Sequence, residues 1–195
     1  MTTSPTNRQT DTALDRQFLD RWSPRAFDGS TIPDADLATI LDAARWAPSA
    51  YNYQPWRLLY AKRESADWAR FLDILIPFNQ SWAKDAGVLI IFVSEETMGS
   101  PDKPNHSHSF DTGAAWAGVA SQAHLLGYHT HGMSGIDLAK ARTELGVPDG
   151  FRVEAAVAIG RIGDPATLPE GLREREVPSD RKPLDQIAYP GNFRA

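Results

Sequence analysis

The spacing of apolar residues predicts helices that alternate irregularly with short strands. Apolar positions recurring at i, i+3, i+4 and i+7 predict helices, whereas short unbroken apolar runs predict buried strands. Helical stripes run through residues 12–22, 34–47, 68–75, 110–126 and 137–145, and strand-like runs cover residues 56–61, 88–93 and 153–159, with a short strand or loop at 129–133. The run at residues 88–93 is apolar at every position, which indicates a central strand covered on both faces.

Three polar segments interrupt this pattern. Residues 1–10 cannot bury enough apolar surface to offset the entropy of ordering, so they are expected to form a disordered tail without a function. Residues 94–108 are long and polar enough for a mobile surface flap. The many prolines after residue 164 exclude a continuous helix or a central strand there. We therefore expect a single domain over residues 11–195, whose C-terminal arm, residues 164–195, extends to wrap a partner.

Small residues fill the predicted helix at residues 110–126 on nearly all sides. Alanine and glycine permit a close approach of neighbouring backbones, which suits either a buried core helix or a subunit interface. We favour the core helix, although one helix can serve both purposes.

Composition narrows the class of protein. Hydrophobic residues make up 42% and charged residues 23% of the 195 residues, as in ordinary globular domains. The absence of cysteine excludes disulfide scaffolds and thiol catalysis, and the net charge of -5 argues against a nucleic-acid partner. Neither a secretory signal nor a membrane-spanning run is apparent, so a cytoplasmic location away from membranes is expected.

A short basic loop follows the first predicted helix. Arg21 and Arg25 flank the hydroxyl of Ser23 and the indole of Trp22 in this segment, residues 21–25. Two guanidinium groups beside a hydroxyl suit charge-assisted binding of a phosphate. In isolation the pattern is weak, because arginines beside a helix end are usually solvated.

A turn held between two prolines follows the second predicted helix. Within it, residues 48–55, the backbone is restricted by the prolines, and Asn52 and Gln54 each offer a donor and an acceptor. A flavin ring presents both an N–H donor and carbonyl acceptors, so side-chain amides complement it. Pro48, Ser49 and Ala50 complete the candidate contact surface, although a well-ordered turn with local hydrogen bonds would look the same.

The order of these two segments resembles the nitroreductase family of flavoenzymes. The resemblance continues at Asn79, before the central strand, where that family often places a flavin-contacting asparagine. Met133, Ser134 and Gly135 are similar to the family loop whose backbone amides face the reactive edge of the flavin. Arg181 resembles the closing phosphate-binding arginine. Matching pieces in family order run over nearly the whole chain, from residue 21 to residue 184.

The resemblance implies a fold, a cofactor and an assembly. The implied fold is α+β, a three-layer α/β/α sandwich with a mixed, mainly antiparallel central sheet. Two subunits would form a homodimer with two shared sites, in which the basic loop of one chain and the two-proline turn of the other contact FMN. No metal is implied.

The implied reaction is a ping-pong oxidoreduction. NADPH or NADH would give hydride to N5 of the flavin, and a small soluble acceptor (a nitroaromatic, quinone, enal or aldehyde) would then take the electrons. Because the cofactor supplies the chemistry, we expect no acid or base residue, but Arg25 would stabilise negative charge at the N1 and O2 edge.

Two family lysines are missing from this chain. Ser179 stands two positions before the closing arginine, where some members have a lysine, and Trp82 stands where a lysine faces the flavin in others. The phosphate is therefore expected to depend more on Arg21 and Arg181.

Two other functions stay open at this point. The pairs His106–x–His108 and His129–x–His131 would suit a histidine-based metal enzyme, because residues i and i+2 of a strand share a face. A protein that binds or consumes flavin without NAD(P)H turnover is the other alternative.

Overall fold

A computed structural model describes residues 6–194 of the chain, which form helices around one antiparallel sheet. The elements in order are α1 (Arg16–Asp20), α2 (Asp34–Arg45), β1 (Trp56–Lys62), α3 (Trp68–Asp73), α4 (Pro77–Ala83), β2 (Val88–Glu95), α5 (His108–Leu125), β3 (His129–Met133), α6 (Leu138–Glu144), β4 (Phe151–Gly160) and α7 (Glu170–Arg173). Short 3-10 turns lie at Ala50–Asn52, Pro165–Thr167 and Leu184–Gln186. This mixture confirms the predicted α+β class.

The strand order in the described sheet is β1-β2-β4-β3, so β1 and β3 are the two edges. Each of the neighbouring pairs is antiparallel. The mixed sheet expected from the resemblance is therefore corrected for residues 6–194. The physical reason is that β2 and β3 run in the same direction, but β4 returns between them and separates them.

Helices cover both faces of the sheet, as the apolar run in β2 predicted. Leu89 and Ile91 pack with Phe71 of α3 and with residues of α4 and α6 in one core. Val88 and Ile90 point the other way and pack with α2 and α5 in a second core. Alternate side chains of a strand face opposite sides, so this strand needs apolar residues throughout.

Helix α5 is a core helix on one side, as favoured from its sequence. Its buried side includes Ala115, Val119 and Ala123. A Cβ atom on Gly118 would lie 2.8 Å from the Ala43 carbonyl oxygen, so this glycine permits the close packing of α2 on α5. At its start, Phe110 is 83% exposed.

Two predicted helix boundaries are corrected. Helix α1 covers only Arg16–Asp20 of the predicted residues 12–22, because the Asp15 carboxylate caps it by accepting from the Gln17 N–H at 2.9 Å. Helix α3 ends at Asp73, two residues before the predicted end, and Pro77 begins the separate helix α4. A proline is tolerated in the first helical turn because the N–H that it lacks would have no partner there.

The polar segments are hydrogen-bonded where the structure describes them. Residues 1–5 of the predicted tail lie outside the described residues, whereas Thr6 Oγ1 donates to the Leu19 carbonyl at 2.9 Å. The segment predicted as a flap closes on itself, because Met98 N donates to the Lys103 carbonyl at 2.7 Å. In the arm, Leu172 is buried, but residues 181–188 are exposed. No helix among the described residues is both long and apolar enough to span a membrane.

Candidate functional site

A cleft of about 550 Å³ lies beside the edge strand β3, between the basic loop and the C-terminal arm. We call it the arginine cleft, because its lining includes Arg8, Arg21, Arg25, Arg175 and Arg181. The other lining residues are Trp22, Ser23, His131, Glu174, Val177 and Ser179. The structure therefore brings together the predicted basic loop and the predicted closing arginine, which are separated by more than half of the chain.

The basic loop is hydrogen-bonded to β3, and a second hydrogen bond lies within the loop itself. The His131 ring donates from Nδ1 to the Pro24 carbonyl at 2.9 Å. Arg21 Nη1 lies 3.4 Å from Ser23 Oγ, a long hydrogen bond that brings the guanidinium and the hydroxyl together at the cleft wall. The half-buried Trp22 ring packs edge-on against His129, with centroids 6.1 Å apart.

The arm holds this loop through a buried carboxylate, Glu176, that the sequence analysis did not identify. Its Oε1 accepts from the N–H groups of Arg25 and Ala26 at 2.6 Å and 2.7 Å. Its Oε2 lies 3.9 Å from Arg25 Nη1. Because Glu176 is about 150 residues from the loop and sits in a charged, proline-rich tail, no local pattern marks it.

The electrostatics of the cleft favour an anion. Burial lowers the pKa of Arg21 from its usual value, and the charges of Arg181 and Arg8 lower it further. Burial also lowers the pKa of Arg25, where Arg175 opposes and Glu176 favours the charged form. Arginine keeps its charge in proteins, so these shifts reflect guanidinium groups that are partly buried and, for Arg21, also repelled by the nearby charges of Arg181 and Arg8. A bound anion would relieve that repulsion.

The next predicted group is Asn79 with Met133, Ser134 and Gly135, the last three of which lie at the end of β3 and just after it. The buried Asn79 donates from Nδ2 to the Gly135 carbonyl at 2.9 Å, and Ile76 N donates to the same carbonyl at 3.1 Å. A Cβ atom on Gly135 would lie 2.6 Å from Asn79 Nδ2, so a larger residue there would displace the Asn79 side chain. Met133 is buried, and Ser134 is exposed. The loop after β3 is thereby fixed to α4.

Trp82, which stands where some family members have a flavin-facing lysine, lies in the core. Its side chain is 1% exposed, and its ring packs against Phe27 and against His131, whose centroid is 4.6 Å away. An indole so fully buried packs against His131 from within the core.

The two-proline turn is rigid and conformationally strained. Tyr51, Asn52 and Gln54 have φ values of 54°, 54° and 53°, in the left-handed region that costs energy for residues other than glycine. Two hydrogen bonds hold this backbone: Ala50 N donates to the buried Asp111 carboxylate at 3.1 Å, and Gln54 N donates to Ser49 Oγ at 3.0 Å. Strain of this kind is typical of binding sites that are held in one shape.

Within one chain the turn and the cleft lie at opposite edges of the sheet. The turn leads directly into β1 at Trp56, one edge strand, whereas the cleft lies at β3, the other edge strand. Among the described residues, none of the turn residues lines the cleft. Within the described part of the chain, the two predicted groups therefore do not line one cleft.

One histidine of each pair, His108 and His129, makes a hydrogen bond or ring contacts within the protein. His108 Nδ1 lies 2.7 Å from Ser94 Oγ, and His129 packs against Trp22 and His124. Within residues 6–194, no group of three or more His, Cys, Asp or Glu side chains could hold a metal ion.

Buried His129 makes the stability depend on pH. Burial lowers its pKa to about 4, with smaller contributions from His124 and Arg21. The folded state therefore keeps this ring neutral between about pH 6.5 and 4, where the unfolded state binds a proton. Stability should be full above about pH 6.5 and fall by about 3 kcal/mol as the pH drops to 4.

Denaturant unfolding at a series of pH values would measure this loss. His129→Gln should reduce this loss of stability. Part of the loss should remain, because burial also lowers the pKa of His131. The exposed His106→Gln is the matched control and should behave as the unaltered protein. An undiminished loss in His129→Gln would contradict the assignment.

Comparisons with known proteins agree on one family. The model described as the nitroreductase family matches residues 19–77 and 76–161. A solved oxidoreductase containing FMN has a TM-score of 0.94 at 54% identity, covering 100% of this chain and 99% of that one. An NADH dehydrogenase from Thermus thermophilus is 28% identical over 201 residues, covering 87% of this chain and 91% of the relative. An FMN-dependent nitroreductase from Clostridium difficile shares the fold, with a TM-score of 0.67 at 20% identity over 89% of this chain and 96% of that one.

Proposed function

Because the chain belongs to the nitroreductase family, we propose that it is an FMN-dependent oxidoreductase that takes hydride from NADPH or NADH and passes it to a small soluble acceptor. The arginine cleft is the observation that supports this proposal most strongly. It collects guanidinium groups beside β3 and next to the loop that the family resemblance assigns to the flavin edge. The names of the relatives that contain FMN point to the same cofactor.

The cleft fits a phosphate group. Arg25 Nε is buried without a hydrogen-bond partner among the described residues, and Arg21 lies in a crowded field of positive charge. A phosphate monoester carries close to two negative charges and accepts several charge-assisted hydrogen bonds. Arg21, Ser23 and Arg181 would bind this group, with the side chain of Trp22 beside it.

The loop after β3 would position the ring system of the cofactor. When bound, FMN would supply the hydride chemistry, since the protein has no redox-active side chain of its own here. Asn79 fixes the carbonyl of Gly135, next to the exposed Ser134 and the buried Met133, and backbone amides of this loop would face the flavin. Arg25 supplies positive charge that would stabilise an anion.

A second subunit would complete the site. The strained turn of the partner, with its Pro48, Ser49, Ala50, Asn52 and Gln54, would face the arginine cleft. The separation of the two groups on opposite sheet edges supports this arrangement, as does the exposed Phe110 at the start of α5. We therefore propose a homodimer with two shared sites.

An anaerobic absorbance spectrum of the purified protein, followed by additions of NADPH and NADH, tests the function. Flavin absorbance bands that bleach with either donor support the proposal. A yellow protein that neither donor bleaches would indicate a flavin-binding protein without this turnover. A colourless protein that cannot be reconstituted with FMN would overturn the proposal.

Mixing two inactive homodimers tests the shared site. Arg21→Ala alters the cleft side, and Asn52→Ala alters the turn side. A heterodimer would carry both changes in one site and neither in the other, so random exchange of equal amounts should restore about one quarter of all sites. The measurement is FMN-dependent NADPH oxidation after subunit exchange by mild denaturation and refolding.

The control is the same procedure applied to each variant alone, which should restore nothing. If the mixture also stays inactive while native mass spectrometry shows that heterodimers have formed, both side chains belong to the same site of the same chain. That result would contradict the shared site.

A further inference from the structure

Arg8 lies in the arginine cleft, although its segment was expected to be a disordered tail. It lines the same wall as Arg21, Ser179 and Arg181 and is half-buried. Thr6 fixes the segment, since its N–H donates to Asp20 Oδ1 at 2.8 Å. The segment thus has a definite place beside the cleft.

Two backbone carbonyls orient the Arg8 guanidinium. Its Nη1 donates to the Leu19 carbonyl at 3.1 Å and to the Arg21 carbonyl at 2.9 Å. Both bonds use Nη1, while Nε is buried and has no hydrogen-bond partner among the described residues. A buried donor without a partner costs free energy unless a ligand satisfies it.

The positive charges around Arg8 also favour binding of an anion. Burial lowers the pKa of Arg8 first, and the charge of Arg181 lowers it next, while Asp180 and Asp20 oppose the shift. Arg8 in turn lowers the pKa of Arg21. Three guanidinium groups from the N-terminal segment, the basic loop and the arm are therefore close enough to repel one another.

We propose that Arg8 is a phosphate-binding residue, which joins Arg21 and Arg181 in holding the phosphate monoester of the flavin. The inference rests on the proposed function, and it assigns to the N-terminal segment a role in cofactor binding. It also gives a reason for the hydrogen bonds of the segment: they place the charge of Arg8 against the cleft before the cofactor arrives.

Titration of FMN-free full-length protein with FMN and with riboflavin, followed by flavin fluorescence, tests this role. Riboflavin lacks the phosphate, so a phosphate-binding residue affects FMN alone. Arg8→Ala and Arg8→Gln should weaken FMN binding about 10- to 100-fold, the usual effect of losing a charged hydrogen bond, and leave riboflavin unchanged. Arg8→Lys should retain part of the affinity, and the salt dependence of FMN binding should be shallower for Arg8→Gln.

Arg70→Ala is the matched control, because it removes the same charge from an exposed arginine outside the cleft and should not change FMN binding. Equal FMN affinities for Arg8→Gln and the unaltered protein would overturn the role of Arg8, as would an equal loss of riboflavin affinity. If the unaltered protein binds neither flavin, the proposed function itself fails. The two failures are thus distinguishable.

Discussion

Replacing Glu176 with alanine is expected to lower the free energy of unfolding by roughly 3 to 5 kcal/mol, the usual cost of breaking a buried charged network. The carboxylate is 8% exposed and accepts the N–H groups of Arg25 and Ala26. Alanine would leave both amides without this acceptor and would leave Arg25 without its counter-charge. Since these residues belong to the basic loop, FMN affinity should fall in the same variant.

Two substitutions separate the hydrogen bonds from the charge. Glu176→Gln keeps a carbonyl oxygen where Oε1 lies and should preserve most of the loop geometry, so its loss of stability should be the smaller. Glu170→Ala removes an exposed carboxylate of α7 and should change stability by less than about 0.5 kcal/mol. Denaturant unfolding measures stability, and titration with FMN measures the site.

A different ranking would contradict this role. If Glu176→Ala unfolds at the same denaturant concentration as Glu170→Ala, the arm does not stabilise the basic loop. If Glu176→Ala loses stability but binds FMN as the unaltered protein does, the basic loop keeps its shape without the arm. Glu176 would then stabilise the fold without contributing to FMN binding.

The sequence predicts those parts of the site that are local. The basic loop and the two-proline turn each depend on the spacing of a few neighbouring residues, and hydrogen bonds within about five residues give them part of their shape. The predicted helix at residues 137–145 likewise begins at a local feature, because the Asp137 carboxylate accepts from Lys140 N at 2.9 Å. Local patterns of this kind require no knowledge of the fold.

The remaining contacts depend on distant parts of the chain. Glu176 reaches Arg25 across 151 positions, and Asp111 reaches Ala50 across 61. Neither carboxylate differs in its local sequence from a solvated surface acid. Arg8 was assigned to a disordered tail because composition alone does not show that the Leu19 carbonyl lies within reach.

Burial was also hard to predict for single aromatic residues. The family order places Trp82 where some members have a flavin-facing lysine, but the order alone does not show that its neighbours in space, Phe27 and His131, bury it. Whether an indole faces a cleft or a core depends on the packing of α4 on the sheet. That packing combines many small contacts from both sides and has no short sequence signature.

Gly163→Ala is expected to destabilise the protein by roughly 3 to 5 kcal/mol, combining an overpacked contact with lost backbone hydrogen bonds. A Cβ atom there would lie 2.5 Å from both the carbonyl carbon and the carbonyl oxygen of Phe27. Backbone atoms cannot rotate aside as a side chain would. The bond from Gly163 N to the Ala26 carbonyl, 2.8 Å long, would also be strained.

This glycine and Glu176 hold the same stretch of chain, because Ala26 donates its N–H to Glu176 and accepts from Gly163 through its carbonyl. Gly163→Ala should therefore weaken FMN binding as well as lower the denaturation midpoint. Gly171→Ala is the matched control: its Cβ meets nothing within 4 Å, and alanine in helix α7 should stabilise by up to about 1 kcal/mol. If Gly163→Ala and Gly171→Ala had equal denaturation midpoints, residues 26–28 would be able to move away from the end of β4. The position of the basic loop would then depend on the arm alone.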